Sequence, residues 1–189
     1  MILGLAAFLG GHAFATFRAE RAAAIARLGE GPYKGLFALV SLVGIVLICY
    51  GFGLYRGAGP IEIWHPPTWT RHIAVALMWP AVICVVAAYI RGDIFRQLKH
   101  PLLVGVKLWA LAHLIANGDL GGIILFGSIL AWAVFDRITL KRRSDPGAPA
   151  IPSGGRVYDV VAVVVGTVLY LALGFWFHPF LIGLRVFGS

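Results

Sequence analysis

Six apolar runs, at about 1–17, 35–55, 72–90, 101–118, 120–135 and 158–184, set the terms for this chain of 189 residues. A helical residue rises about 1.5 Å, so a hydrocarbon core about 30 Å thick takes roughly 17–25 apolar residues to cross. The second, third and sixth runs reach that length comfortably. The first, fourth and fifth stand near its lower limit. The chain therefore reads as all-α, a polytopic membrane bundle of about six transmembrane helices in a single domain over residues 1–189. Composition agrees: 60% of residues are hydrophobic and 13% charged, where a soluble chain is roughly half apolar and a quarter charged. The same numbers exclude disorder. Cys49 and Cys84 both lie in apolar runs, which excludes a disulfide framework.

The fourth and fifth runs are divided by the turn-rich hexapeptide Asn117-Gly118-Asp119-Leu120-Gly121-Gly122. It reads as a tight hairpin between two crossings; the alternative is a re-entrant pair that never fully crosses. A cleaved signal peptide carries its positive charge ahead of its apolar core. Here Met1-Ile2-Leu3 is apolar at once and Arg18 and Arg21 follow the run, the order of a retained helix with its N-terminus outside.

The basic residues alternate with the spans. Arg18, Arg21, Arg27 and Lys34 follow the first, Arg91, Arg96 and Lys99 the third, and Arg137, Lys141, Arg142, Arg143 and Arg156 the fifth. Only Arg56, Arg71 and Arg185 fall on the opposite side, and Lys107 lies within the fourth run. The positive-inside rule turns this asymmetry into six helices with both termini on the outer, periplasmic side. The net charge of +8 thus reflects topology and the lipid bilayer as partner. A nucleic-acid partner would need a basic face with a recognition element, and the chain has none. The Pro/Gly-rich stretch Lys141–Gly155 reads as a cytoplasmic linker.

Polar groups inside a bilayer are costly, so each is a functional candidate. Within the runs they are His12, Lys107, His113, Asn117 and His178. Trp109, His113 and Asn117 follow one another at helical spacing and share one face of the fourth helix, with His100 and Lys107 on another edge. Lys107 snorkels toward the headgroups or binds an anion. His12 sits among Gly10, Gly11 and Ala13, small residues that let a helix or a flat ligand come close. His178 precedes Pro179, which loosens the preceding turn; bonding a freed carbonyl and binding a ligand are equally open to it.

A lone intramembrane imidazole is ordinarily a neutral ring with one interhelical hydrogen bond. Several in one small bundle point to a haem, whose iron imidazole usually ligates. No Cys-x-x-Cys and no His-Glu-x-x-His offers another metal signature. Ser41 and Ser128 have no neighbouring carboxylate or His in sequence, against a hydrolase triad. Depth separates the candidates. His12 and His113 differ in level by roughly 10 Å at 1.5 Å per residue, whereas His178 is nearer in level to His113.

The run from Arg96 through Asp119 carries His-Pro, then Gly, then Leu-Trp-Ala-Leu-Ala-His-Leu-Ile-Ala-Asn-Gly-Asp. With His12, Arg18 and Gly31-Pro32-Tyr33-Lys34-Gly35-Leu36-Phe37, it resembles the NnrU family over most of the chain. The family is named for nitric-oxide and nitrite respiration in denitrifying bacteria, and the membrane haem b enzyme zeta-carotene isomerase is similar to it. The resemblance implies haem b, with His113 and His12 as metal ligands and His100 as a further matching histidine. The isomerase carries a Cys three residues before its matching histidine; here that position is Ala110, so a Cys/His ligand exchange does not carry over. Resemblance thus favours His12 with His113, and depth favours His113 with His178. Trp109 and Asn117 complete the candidate cofactor-binding set.

Two functions are expected from this. One is a haem-dependent role in nitrogen-oxide metabolism or in redox-gated cis–trans isomerisation of an apolar polyene. The other is a non-enzymatic accessory or assembly role in a respiratory nitric-oxide-reducing complex, since no catalytic acid, base or nucleophile stands out. A transporter would show paired broken helices, and Pro80 and Pro179 are not in corresponding positions.

Overall fold

Helix boundaries follow local chemistry throughout. In the computed structural model, which describes residues 1–142 and 154–187, the order is α1 (Ile2–Thr16), α2 (Arg18–Leu28), α3 (Glu30–Gly57), α4 (Thr68–Ala87), α5 (Asp93–Leu98), α6 (Pro101–Ala116), α7 (Leu120–Lys141) and α8 (Arg156–Ala172). A π-helical stretch, Leu173–Ile182, continues α8. Gly29, at φ 83°, separates α2 from α3 in a conformation open to glycine. Pro101 opens α6, where a missing N–H costs nothing. Asp119 caps α7 by accepting from the Gly122 N–H at 2.8 Å. No strand occurs among the described residues.

The helices α3, α4, α7 and α8 with its π-helical continuation are long and apolar enough to cross a membrane. They contain the greater part of the second, third, fifth and sixth apolar runs. The fifth run, short as drawn, lies in a helix of 22 residues. The first and fourth differ. α1 has 15 residues, about 22 Å at 1.5 Å per residue, and breaks at Phe17 into α2 at an angle of 97°. The pair makes a fifth candidate span only if both arms are counted as one. α6 has 16 residues, about 24 Å by the same rise, and is an apolar helix below crossing length. The chain thus has four candidate spans, or five with the bent pair. Most of the linker Lys141–Gly155 lies outside the described residues.

The chain divides into two compact units. The first contains α1–α3 and α7. Within it α1 and α3 cross backbone against backbone. A Cβ on Gly4 would stand 2.6 Å from the Ile48 nitrogen, and one on Gly44 would stand 3.0 Å from the Phe8 nitrogen. Membrane helices have no hydrophobic drive toward one another, so such close van der Waals approach replaces it. α7 joins through Phe126, edge-on to Phe52 at 6.5 Å, and through Gly121, whose missing side chain makes room for the Tyr55 ring. The segment after α3 is tied to the start of α7: Ile63 N–H donates to the Gly118 carbonyl at 2.8 Å, and Leu120 N–H to that of Ile61 at 2.8 Å.

The second unit contains α4–α6, α8 and the π-helical stretch. Here α4 is the hub. A Cβ on Gly105 of α6 would stand 2.7 Å from the Ala81 carbonyl, and one on Gly166 of α8 would stand 2.9 Å from the Ile83 Cα. Ala81, Ala87, Ala110 and Ala162 are essentially inaccessible, the small-residue packing expected between helices in lipid. Asp159 of α8 closes the other end, accepting from the backbone N–H of Asp93 at 3.1 Å and of Ile94 at 2.9 Å. Two orphan donors at the start of α5 are thereby satisfied. After the π-helical stretch Gly183 adopts φ 75°, turning the chain so that Phe187 lies against Phe175 at 4.7 Å.

Candidate functional site

In the second unit the structure brings two of the sequence candidates together. His113, on the last turn of α6, and His178, in the π-helical stretch, have ring centroids 6.3 Å apart and planes 23° from parallel. Each ring is held by its own backbone. His113 Nδ1 lies 2.8 Å from the Trp109 carbonyl one turn back, and His178 Nδ1 lies 2.8 Å from that of Leu173, five residues back. A carbonyl oxygen only accepts, so each Nδ1 donates and the lone pair of each neutral ring sits on Nε2. Ligating histidines characteristically show this: one nitrogen donates to a carbonyl and thereby fixes the tautomer and the ring plane.

The sequence posed carbonyl-bonding and ligand-binding as alternatives for His178. They use different nitrogens of the one ring and are compatible. The five-residue reach has a cause. Pro179 has no N–H and disturbs the regular ladder, and the chain here winds as a π-helix from Leu173 to Ile182. Such segments are rare and occur frequently at functional sites.

Around the pair, the Trp109 ring lies 5.1 Å from that of His113 and the Phe177 ring 5.7 Å from that of His178. Asn117 acts on the backbone: its Nδ2 donates to the His113 carbonyl at 2.7 Å, closing the end of α6 as a cap. His100 is the residue before Pro101 at the opposite end of α6. Thirteen residues of helix put it about 20 Å from His113 along the axis, outside this cluster. Ala110 is wholly buried and offers no donor atom.

His12 belongs to the first unit. Its Nδ1 lies 2.8 Å from the Phe8 carbonyl, the same anchoring seen twice in the second unit. Its ring is surrounded by Phe8 at 4.2 Å, Phe37 at 5.0 Å and Trp132, edge-on, at 5.3 Å. With Ala15, Thr16, Trp132 and Asp136 it lines a cavity of about 210 Å³. Asp136 escaped the sequence reading because the fifth run ends at residue 135, and Trp132, inside that run, was not singled out. The helix runs on to Lys141, so a carboxylate does lie within a candidate span. The signal was the four-residue spacing of Trp132 and Asp136, which places both on one face.

No curated protein and no solved structure is significantly similar to the chain. The sequence profile described as NnrU protein matches residues 1–186. That match takes in α1 with His12, the α6 motif and both residues of the stacked histidine pair, and on it the chain belongs to the NnrU family.

Proposed function

We propose that this NnrU-family chain is a multi-pass protein of the bacterial inner membrane that binds one haem b in its second unit, between His113 and His178. The observation that carries this reading is the pair itself. Two imidazoles on one metal, each with a metal–nitrogen bond of about 2.0–2.1 Å, stand with centroids roughly 6 Å apart. The separation of 6.3 Å at 23°, with both Nδ1 atoms engaged by carbonyls, fits that requirement. Trp109 and Phe177 supply the apolar, aromatic walls a macrocycle requires. When bound, the haem would be held by His113 and His178 and would supply a redox-active iron.

The chain's own residues divide the work unequally. His113 is held on a regular helix whose end Asn117 closes. His178 is held on the π-helical stretch next to Pro179. On these supports His113 would be the firmly held ligand and His178 the more readily displaced one. This arrangement suits redox-gated chemistry on an apolar polyene or on a nitrogen oxide. Six crossings with both termini in the periplasm belong to the same proposal, and the alternation of basic loops supports them.

The test is a reduced-minus-oxidised optical spectrum of protein made with ample haem, beside His113→Ala and His178→Ala. A Soret band in the wild type that disappears in His113→Ala and changes shape in His178→Ala is expected. A colourless wild type, or a His113→Ala spectrum identical to it, overturns the reading.

A further inference from the structure

Beyond the π-helical stretch the chain folds back on the turn that carries His178. We infer that Phe187, seated in the notch left by Gly174, is a positioning residue for His178 and sets how readily that ring leaves a metal held between it and His113, an inference that rests on the haem reading.

His178 is gripped at two points. Its ring is fixed by the Leu173 carbonyl, which Nδ1 meets at 2.8 Å. Its own carbonyl accepts from the N–H of Gly183 and from that of Leu184 at 3.2 Å. Gly183, at φ 75°, holds a left-handed conformation open to glycine, and this turn sends the following residues back along the helix. There Phe187 meets Gly174, the neighbour of Leu173. A Cβ on Gly174 would run into the edge of the Phe187 ring. That ring lies 4.7 Å from Phe175 and, edge-on, 5.5 Å from Tyr170, separations at which aromatic rings attract. Tyr170 is itself tied to α4, its hydroxyl donating to the Val75 carbonyl at 3.1 Å. The short segment Gly183–Phe187 thus holds both the carbonyl of His178 and the turn that carries its anchor.

Phe187 differs from the other large apolar side chains nearby. Phe180 and Leu181, in the same π-helical stretch, are 80% and 72% exposed, whereas Phe187 is half-buried against the helix. A π-helical turn interrupted by a proline without an N–H is poorly supported from within, so support from outside decides how firmly His178 is held. Groups that orient a ligating histidine typically change metal affinity roughly 10–100-fold when removed.

The probe is carbon monoxide, titrated into the reduced, haem-loaded protein in nanodiscs and read from the Soret band. To bind, it must displace an axial histidine. Phe187→Ala is expected to bind it about fivefold or more tighter than the wild type. Gly174→Ala should do the same by pushing the ring from its notch, although alanine is the better helix former. The two changes together should do no more than either alone, the mark of one shared contact. Phe180→Ala removes a ring of the same size from the same stretch and should leave the affinity unchanged. Wild-type affinity in either Phe187→Ala or Gly174→Ala, or an equal gain in Phe180→Ala, overturns the inference and leaves the haem proposal standing. A second readout needs no haem: amide exchange at Leu184 and from Leu173 to His178 should be about tenfold or more faster in Phe187→Ala than in Phe180→Ala. Equal exchange overturns the inference as well. A colourless wild type with the faster exchange overturns the haem proposal and leaves the positioning of His178 intact.

Discussion

The two units use the same means to hold an imidazole and present it to different surroundings. His12, His113 and His178 all hydrogen-bond through Nδ1 to a carbonyl four or five residues back at 2.8 Å. In the second unit the held ring faces another held ring, nearly parallel, at 6.3 Å. In the first it faces three aromatic rings and shares a cavity with a carboxylate. Fixing the tautomer is thus common to both, and the surroundings differ: a second held imidazole in one unit, aromatic rings and a cavity shared with Asp136 in the other.

The sharpest break between the units is spectroscopic. His113→Ala is expected to remove nearly all bound haem, measured as Soret absorbance per protein, whereas His12→Ala should retain most of it. Equal loss in both would erase the distinction between the two imidazoles and restore the pairing that family resemblance favours.

Next in size are the glycine crossings. Gly44→Leu would drive a side chain into Phe8 and the Gly4 carbonyl, and Gly105→Leu into the Ala81 carbonyl and Val85. Backbone atoms cannot step aside as a side chain end can. Each should cost about 3 kcal/mol, the upper end of ordinary overpacking, read as a fall in melting temperature. Gly10→Ala, with nothing within 4 Å of the added methyl, is the control and should not lower it, since Ala is the better helix former.

Asp159 gives a smaller effect confined to the second unit. Asp159→Ala leaves two N–H groups of α5 without their acceptor and should cost about 2 kcal/mol, an unmet donor being worth roughly 1–3 kcal/mol. Faster amide exchange at Asp93 and Ile94 would check it. Smallest is the α7 cap in the first unit: Asp119→Ala removes the bond to the Gly122 N–H and should cost about 1 kcal/mol, measured by thermal unfolding.

Length and hydropathy made the helical class and four of the long helices readable in the sequence. The π-helical stretch was half-visible. Pro179 announced a disturbed turn, but the wider winding depends on how His178 and Leu173 pair across it. The bend at Phe17 was missed because no Pro or Gly marks it; Phe17 simply takes an extended conformation, φ −81° and ψ 95°, between an apolar helix and the charged segment beginning at Arg18. Level arithmetic along two helices favoured His113 with His178, and the structure places those rings side by side. Asp136 was lost to a boundary drawn one residue early, the kind of error that apolar windows invite when a helix outlasts its apolar part.

The proposed haem ligation rests on two nitrogens meeting one iron. Low-temperature electron paramagnetic resonance of the oxidised, haem-loaded protein tests that directly. The account predicts a low-spin ferric signal of the bis-imidazole type in the wild type and in His12→Ala, turning high-spin in His178→Ala. A high-spin wild type, or a low-spin signal that persists in His178→Ala and vanishes in His12→Ala, would contradict it.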